Sequence, residues 1–335
     1  MSGAGEVATV RGPVAEESLG RVLMHEHVFV LSPEAVQDYP ADIHWDEEEK
    51  IALAVTKLTE LVSAGIGTIV DLTVLNMGRF LPRLARINAA VDLHIVVATG
   101  LYTFDVVPRF LKHIGPGRAI ERSEPLVEMF VRDIEAGIGD TGIKAGILKC
   151  ATDVEGLTPD VDRVLRAVAR AHRETGAPIS THTHAASEQG LAQQEVFLAE
   201  GVDLTRTVIG HSGDSTDLDY LRRLADRGSY LGMDRFGLDR PPHSDFDTRV
   251  GVVADMCAAG YADRMVLSHD ASCWTDWLPE ELLDGSPFTM PNWRFTHVSE
   301  DVVPALRARG VTPEQIDLML IDNPRRILGG QKEGY

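Results

Sequence analysis

Eight short apolar runs rich in β-branched residues recur along the chain, at positions 21–27, 68–73, 94–102, 145–151, 178–184, 207–211, 230–236 and 265–270. Most are continuously apolar rather than alternating, which suits strands buried on both faces of a parallel sheet. Between them lie amphipathic stretches of helical length. Positions 46–64 open with acidic residues and close at Gly65, 159–175 close at Gly176, and 216–227 close at Gly228, the usual chemistry of helix starts and stops. Eight strand and helix pairs in 335 residues predict an α/β chain folded as one (β/α)8 TIM barrel over 1–335. An open doubly wound sheet would more often use about five or six strands.

Composition narrows the class further. The chain is 44% hydrophobic, enough for a large core, and 51 acidic against 32 basic residues give a net charge of -19. Such a charge repels nucleic acid and anionic membranes, so neither is an expected partner. Positions 1–20 hold no apolar signal core and no run of 18 apolar residues occurs, so a cytoplasmic protein is expected. Cys150, Cys257 and Cys273 make an odd count without Cys-x-x-Cys spacing. They read as reduced thiols rather than a disulfide or thiolate zinc site.

Five of the runs end in residues able to bind a metal. His25 and His27 are two apart in the first run, so on a strand both imidazoles point to one face and can share an ion. Lys149, His182, His211 and Asp270 close later runs, and barrels place their catalytic groups at the C-terminal ends of strands. The six therefore converge. His44, His94, His113, His172 and His243 fall in helices or loops and carry no expected role. Two connections are long. One spans 274–297, within a substrate loop at about 271–298, and carries Trp274, Trp277, Phe288, Trp293 and Phe295. The other, 104–125 around Gly115-Pro116-Gly117, reads as a surface excursion.

Lys149 interrupts an apolar run, where an unpaired ammonium is costly and its pKa falls. It could act as a desolvated Schiff-base amine. It could instead react with carbon dioxide to give a carbamate, an anion able to bridge two divalent ions together with a hydroxide. Four histidines around it favour metals. Two metals would lower the pKa of a bridging water, polarise the substrate and stabilise the developing oxyanion, while Asp270 ligates or moves the proton. Otherwise Asp270 is a rim carboxylate paired with an arginine. A rival motif, Gly210-His211-Ser212-Gly213, begins like a nucleophile elbow but ends in Asp214 where glycine is required. A serine hydrolase using Ser212, Asp270 and His297 would leave Lys149 and the His-x-His pair unexplained. The rival from another class is a non-catalytic binding barrel.

Met24-His25-Glu26-His27, Thr99-Gly100-Leu101-Tyr102, Gly146-Ile147-Leu148-Lys149, Ser180-Thr181-His182-Thr183-His184, Ile209-Gly210-His211-Ser212, Gly232-Met233-Asp234-Arg235-Phe236 and Ser268-His269-Asp270 occur in that order. On these segments the chain resembles the phosphotriesterase-like lactonases of the amidohydrolase superfamily over essentially its whole length. The resemblance implies an N6-carboxylated Lys149 bridging two divalent ions, zinc first, with cobalt, iron or manganese as alternatives. It puts His25, His27 and Asp270 on the more buried ion, and His182 and His211 on the more exposed one. It also implies that Tyr102 and Arg235 lie at the reacting atoms and line the substrate pocket with Trp277. Taken as ordinary residues, Tyr102 packs at the barrel top, Arg235 pairs with Asp234 or Asp239, and Trp277 anchors a loop or contacts a subunit. The expected activity is hydrolysis of N-acyl-homoserine lactones and other aliphatic lactones by a metal-bridging hydroxide. Organophosphate triesters are side substrates, phosphotriesterase as main activity is the alternative, and a homodimer is the expected assembly.

Overall fold

The computed structural model describes residues 5–239, 243–278 and 290–329. Among these residues, eleven strands run in chain order: β1 Glu6–Thr9, β2 Gly12–Ala15, β3 Val22–Val30, β4 Thr68–Asp71, β5 His94–Gly100, β6 Ile147–Ala151, β7 Ile179–His182, β8 Thr207–Ile209, β9 Tyr230–Met233, β10 Met265–Leu267 and β11 Ser272–Thr275. β3 to β11 form one sheet in the order β10-β9-β8-β7-β6-β5-β4-β3-β11, and every neighbouring pair is parallel. Its two ends are successive pieces of one stretch of chain, so the sheet meets itself. Asp270 N donates to His25 O at 3.0 Å and His27 N donates to Ala271 O at 2.9 Å across that seam. The result is the expected (β/α)8 barrel, with its eighth strand broken between β10 and β11.

Two apolar clusters follow from this closure. The smaller fills the barrel interior with Val22, Met24, Val70, Val96, Ile147, Val208 and Val266, while the larger packs strand backs against helices through Leu58, Ile69, Leu165, Ile179 and Leu224. The helix signals hold. Glu47–Ser63 is capped by Asp46 on Glu49 N, Pro159–Thr175 by Thr158 on Val161 N with Gly176 at φ 69°, and Leu218–Asp226 by Asp217. This last helix begins two residues later than the sequence suggests, because the Asp217 carboxylate takes the capping position.

Several boundaries need correction. The first strand does not close at His27 but continues through Phe29 to Val30. The last expected run stops at Leu267, and Trp274, expected in a loop, lies within β11. His94 is not in a helix or loop; it opens β5. The antiparallel hairpin β1-β2 had no counterpart in the sequence reading. It covers the N-terminal end of the barrel, where Val7 joins the interior cluster and Val10 N donates to Ile95 O. Residues 279–289 of the expected substrate loop, including Phe288, lie outside the described residues. The three cysteines are buried and free. Among the described residues, no helix is long and apolar enough to cross a membrane.

Candidate metal centre

β3 delivers its two histidines through a bulge. The β3-β4 register shifts between Leu23 and Glu26, so Met24 packs in the interior cluster while its neighbour His25 lines the cleft above. His27 follows on the same face. Lys149 comes from the middle of β6, His182 is the last residue of β7, and His211 and Asp270 follow β8 and β10. Both of these last two hold positive φ, 59° and 54°, a conformation that non-glycine residues keep only where surroundings impose it. β5 and β6 approach closely at the lysine. A Cβ on Gly100, whose φ is 147°, would stand 1.9 Å from Lys149 O.

All nine expected site residues line one cleft of about 290 Å3: His25, His27, Tyr102, Lys149, His182, His211, Arg235, Asp270 and Trp277. Val30, Met77, Leu238, Leu278 and Trp293 supply its apolar walls.

The outer hydrogen bonds decide which ring nitrogens face inward. His25 Nδ1 donates to Asp234 Oδ2 (2.9 Å) and His211 Nδ1 to Asp234 Oδ1 (3.0 Å), an oxygen that also takes the His211 backbone N–H (2.8 Å). His27 Nδ1 donates to Thr73 Oγ1 (2.9 Å), whose hydroxyl donates to Phe29 O (3.3 Å), and His182 Nε2 donates to Asp153 Oδ2 (2.8 Å). The remaining nitrogens carry lone pairs. His211 Nε2 then faces His182 Nδ1 at 2.9 Å, His27 Nε2 faces Asp270 Oδ1 at 3.1 Å, and His25 Nε2 lies 3.3 Å from the same oxygen and 3.2 Å from Lys149 Nζ. Lys149 can donate to His25, but the ring nitrogens and carboxylate oxygen that face one another as acceptors repel, and a cation among them turns repulsion into ligation. His25, His27 and Asp270 meet as one such group. This donor set of neutral imidazoles, carboxylate and amine fits divalent transition metals.

Electrostatics favours the same protonation states. Burial drives the His25 pKa down to about 3, aided by Lys149, and burial lowers His182 and His211 as well, so these three imidazoles are neutral. Burial lowers Lys149 to about 8, against the pull of Asp270 and Asp234. Burial pushes the Asp270 carboxyl upward, but its charged and hydrogen-bonding neighbours, the Arg235 guanidinium among them, outweigh it and hold it well below the usual carboxylate range. Tyr102, desolvated, is pushed above the ordinary phenol range.

Around the ligand group, Tyr102 Oη stands 3.4 Å from His182 Nδ1, and its ring centre lies 5.8 Å from that of Trp277. Arg235 does not pair with Asp234 or Asp239. Its Nε donates to Asp270 Oδ2 at 3.1 Å and its Nη1 to Asp214 Oδ2 at 2.8 Å, a carboxylate that also stands 2.7 Å from Arg249 Nη2. The 104–125 segment is more than a surface excursion, because the Phe104 ring lies 4.9 Å from that of His182. The serine-hydrolase arrangement does not assemble. Ser212 Oγ donates to Ile209 O at 2.7 Å, and His297 Nδ1 contacts Asp301 at 2.7 Å rather than Asp270.

Asp234, Asp153 and Thr73 escaped the sequence reading as orienting groups. Asp234 sat inside a recognised segment, but its partners come from β3 and the end of β8. No sequence spacing pairs such distant residues.

The profile of the phosphotriesterase family matches residues 5–328. A phosphotriesterase homology protein from Mycobacterium tuberculosis is 58% identical over 326 residues, covering 97% of this chain and 98% of the relative. An aryldialkylphosphatase from Saccharolobus solfataricus is 35% identical over 94% of this chain and 96% of its own. The solved structure of the phosphotriesterase from M. tuberculosis superposes with a TM-score of 0.95 at 57% identity, covering 98% of this chain and all of that one. The barrel, the inward lone pairs and this full-length likeness agree: the chain belongs to the phosphotriesterase family and is a metal-dependent hydrolase.

Proposed function

We propose that the chain is a binuclear lactonase that opens N-acyl-homoserine lactones and other aliphatic lactones, with organophosphate triesters as side substrates. His25, His27 and Asp270 would hold one divalent ion, His182 and His211 the other, with zinc the first choice. Lys149 would bridge them as a carbamate. Burial supports that step, because an amine lowered to about 8 offers more neutral nitrogen for N–C bond formation with carbon dioxide. Bound divalent ions lower the pKa of water and polarise a carbonyl or phosphoryl oxygen.

The observation that carries the substrate reading is Tyr102, Arg235 and Trp277 in one cleft with the candidate ligands. The Tyr102 phenol stays protonated, so it can donate to the oxygen on which charge develops as the lactone carbonyl is attacked. Asp270, ionised and paired with Arg235, accepts the water's proton and delivers it to the leaving alkoxide as the ring C–O bond breaks. The Val30, Met77, Leu238, Leu278 and Trp293 walls suit an acyl chain, each buried methylene contributing about 0.8 kcal/mol. The expected setting is a cytoplasmic homodimer.

Phosphotriesterase as main activity is the second reading, favoured by the aryldialkylphosphatase relative. A tetrahedral phosphotriester resembles the intermediate of lactone opening, so one site can take both. The deciding measurement is kcat/KM for a long-chain acyl-homoserine lactone beside that for paraoxon. A lactone preference is expected, and a preference of about tenfold or more for paraoxon overturns it.

A further inference from the structure

Glu26 lies between the two histidines of β3 and points away from the cleft they line. It is fully buried, and its carboxylate gathers four donors from one turn. Oε1 accepts from Ser268 Oγ (2.8 Å), His269 N (2.9 Å) and His269 Nδ1 (2.6 Å), while Oε2 accepts from Ala271 N (3.0 Å). These donors flank Asp270 on both sides. His25 N also donates to Ser268 Oγ at 2.9 Å, and His269 Nε2 accepts from Val298 N at 2.8 Å. His269 O accepts from Nε1 of the cleft-lining Trp293 at 3.1 Å.

We infer that Glu26, with His269 as its partner, is a positioning residue that holds Asp270 where its carboxylate meets His25 and His27. The inference rests on reading those three side chains as a cation site. A carboxylate buried between barrel and helices is costly unless both oxygens are hydrogen-bonded, and here the 268–271 turn supplies donors to both. Asp270 has a φ of 54°, a left-handed conformation that relaxes unless neighbouring contacts enforce it. Bonds on the residues before and after it supply that enforcement. Glutamine at this position offers one carbonyl oxygen, and its amide would confront a backbone N–H.

The test is titration of metal-free protein with cobalt(II) against a competing chelator, following the d–d absorption, for the wild type, Glu26→Gln and Ser268→Ala. Two cobalt equivalents are expected in the wild type. Glu26→Gln weakens one of them by about 10- to 100-fold and shifts its spectrum, and the other keeps its affinity. Ser268→Ala weakens the same equivalent by a smaller factor, and it decides alone if Glu26→Gln does not fold. Unchanged affinities in both variants, even with a lower Tm, overturn the positioning role and leave the metal reading standing. A wild-type chain that binds no cobalt overturns the cation site itself and this role with it.

Discussion

His25 and Asp234 are 209 residues apart in the chain and joined by a 2.9 Å hydrogen bond, while the other oxygen of the same carboxylate takes His211. One buried carboxylate thus sets the inward nitrogen of a histidine in each proposed ligand group. Asp234→Asn keeps the volume but replaces one acceptor by an NH2 donor, so one of the two imidazoles loses its tautomer lock. Metal affinity is expected to fall by about 10- to 100-fold. Chelator competition on the purified variant checks this, and wild-type affinity refutes the orienting role.

Lys149→Ala removes the one amine among the described residues that line the cleft. Metal content after purification is expected to fall well below that of the wild type, and hydrolysis of either substrate class to disappear. Full metal loading with retained turnover would eliminate the bridging role.

Metal-free protein should lose stability as pH falls. His25 titrates near 6.5 when unfolded and near 3 when folded, so between these values the unfolded chain binds a proton that the folded chain refuses. Stability therefore rises with pH across that window and is complete above it. His182 and His211, also lowered, add in the same direction. Urea midpoints of the apo protein should fall steadily from pH 7 toward pH 5, and a flat profile would contradict neutral burial of these rings.

Tyr102→Phe deletes one hydroxyl and leaves the ring contacts with Phe104 and Trp277. If the phenol donates to the developing oxyanion, lactone kcat/KM drops by about 100-fold with Tm unchanged. A change confined to KM would place Tyr102 in the pocket wall alone.

Gly100→Ala puts a methyl group 1.9 Å from Lys149 O at a φ of 147°. β5 and β6 must separate beside the lysine, at a cost of at least about 1–3 kcal/mol. Thermal melts should show this loss, together with weaker metal retention; an unchanged Tm would mean the strands can shift freely there.

Much of this was legible in the sequence because its signals are local. Continuous apolar runs mark strands buried on both faces, capping residues mark helices, and His-x-His spacing matches the strand repeat whatever the partner strand. Residues at strand ends converge in any closed barrel, so His25, His27, Lys149, His182, His211 and Asp270 could be collected by position alone. Chain closure decided the rest. Whether Arg235 meets Asp234, Asp239 or Asp270 depends on distances set by the barrel's curvature, and the structure pairs it with Asp270 and Asp214. The bulge that turns His25 into the cleft depends likewise on the pairing of β3 with β4, and the broken eighth strand and the carboxylates of Asp234 and Glu26 on contacts between residues more than 200 positions apart. The sequence by itself determined which side chains gather at the mouth of the barrel. Only the tertiary structure decided which nitrogen or oxygen of each faces inward, because that choice belongs to hydrogen bonds between side chains carried by different strands and loops.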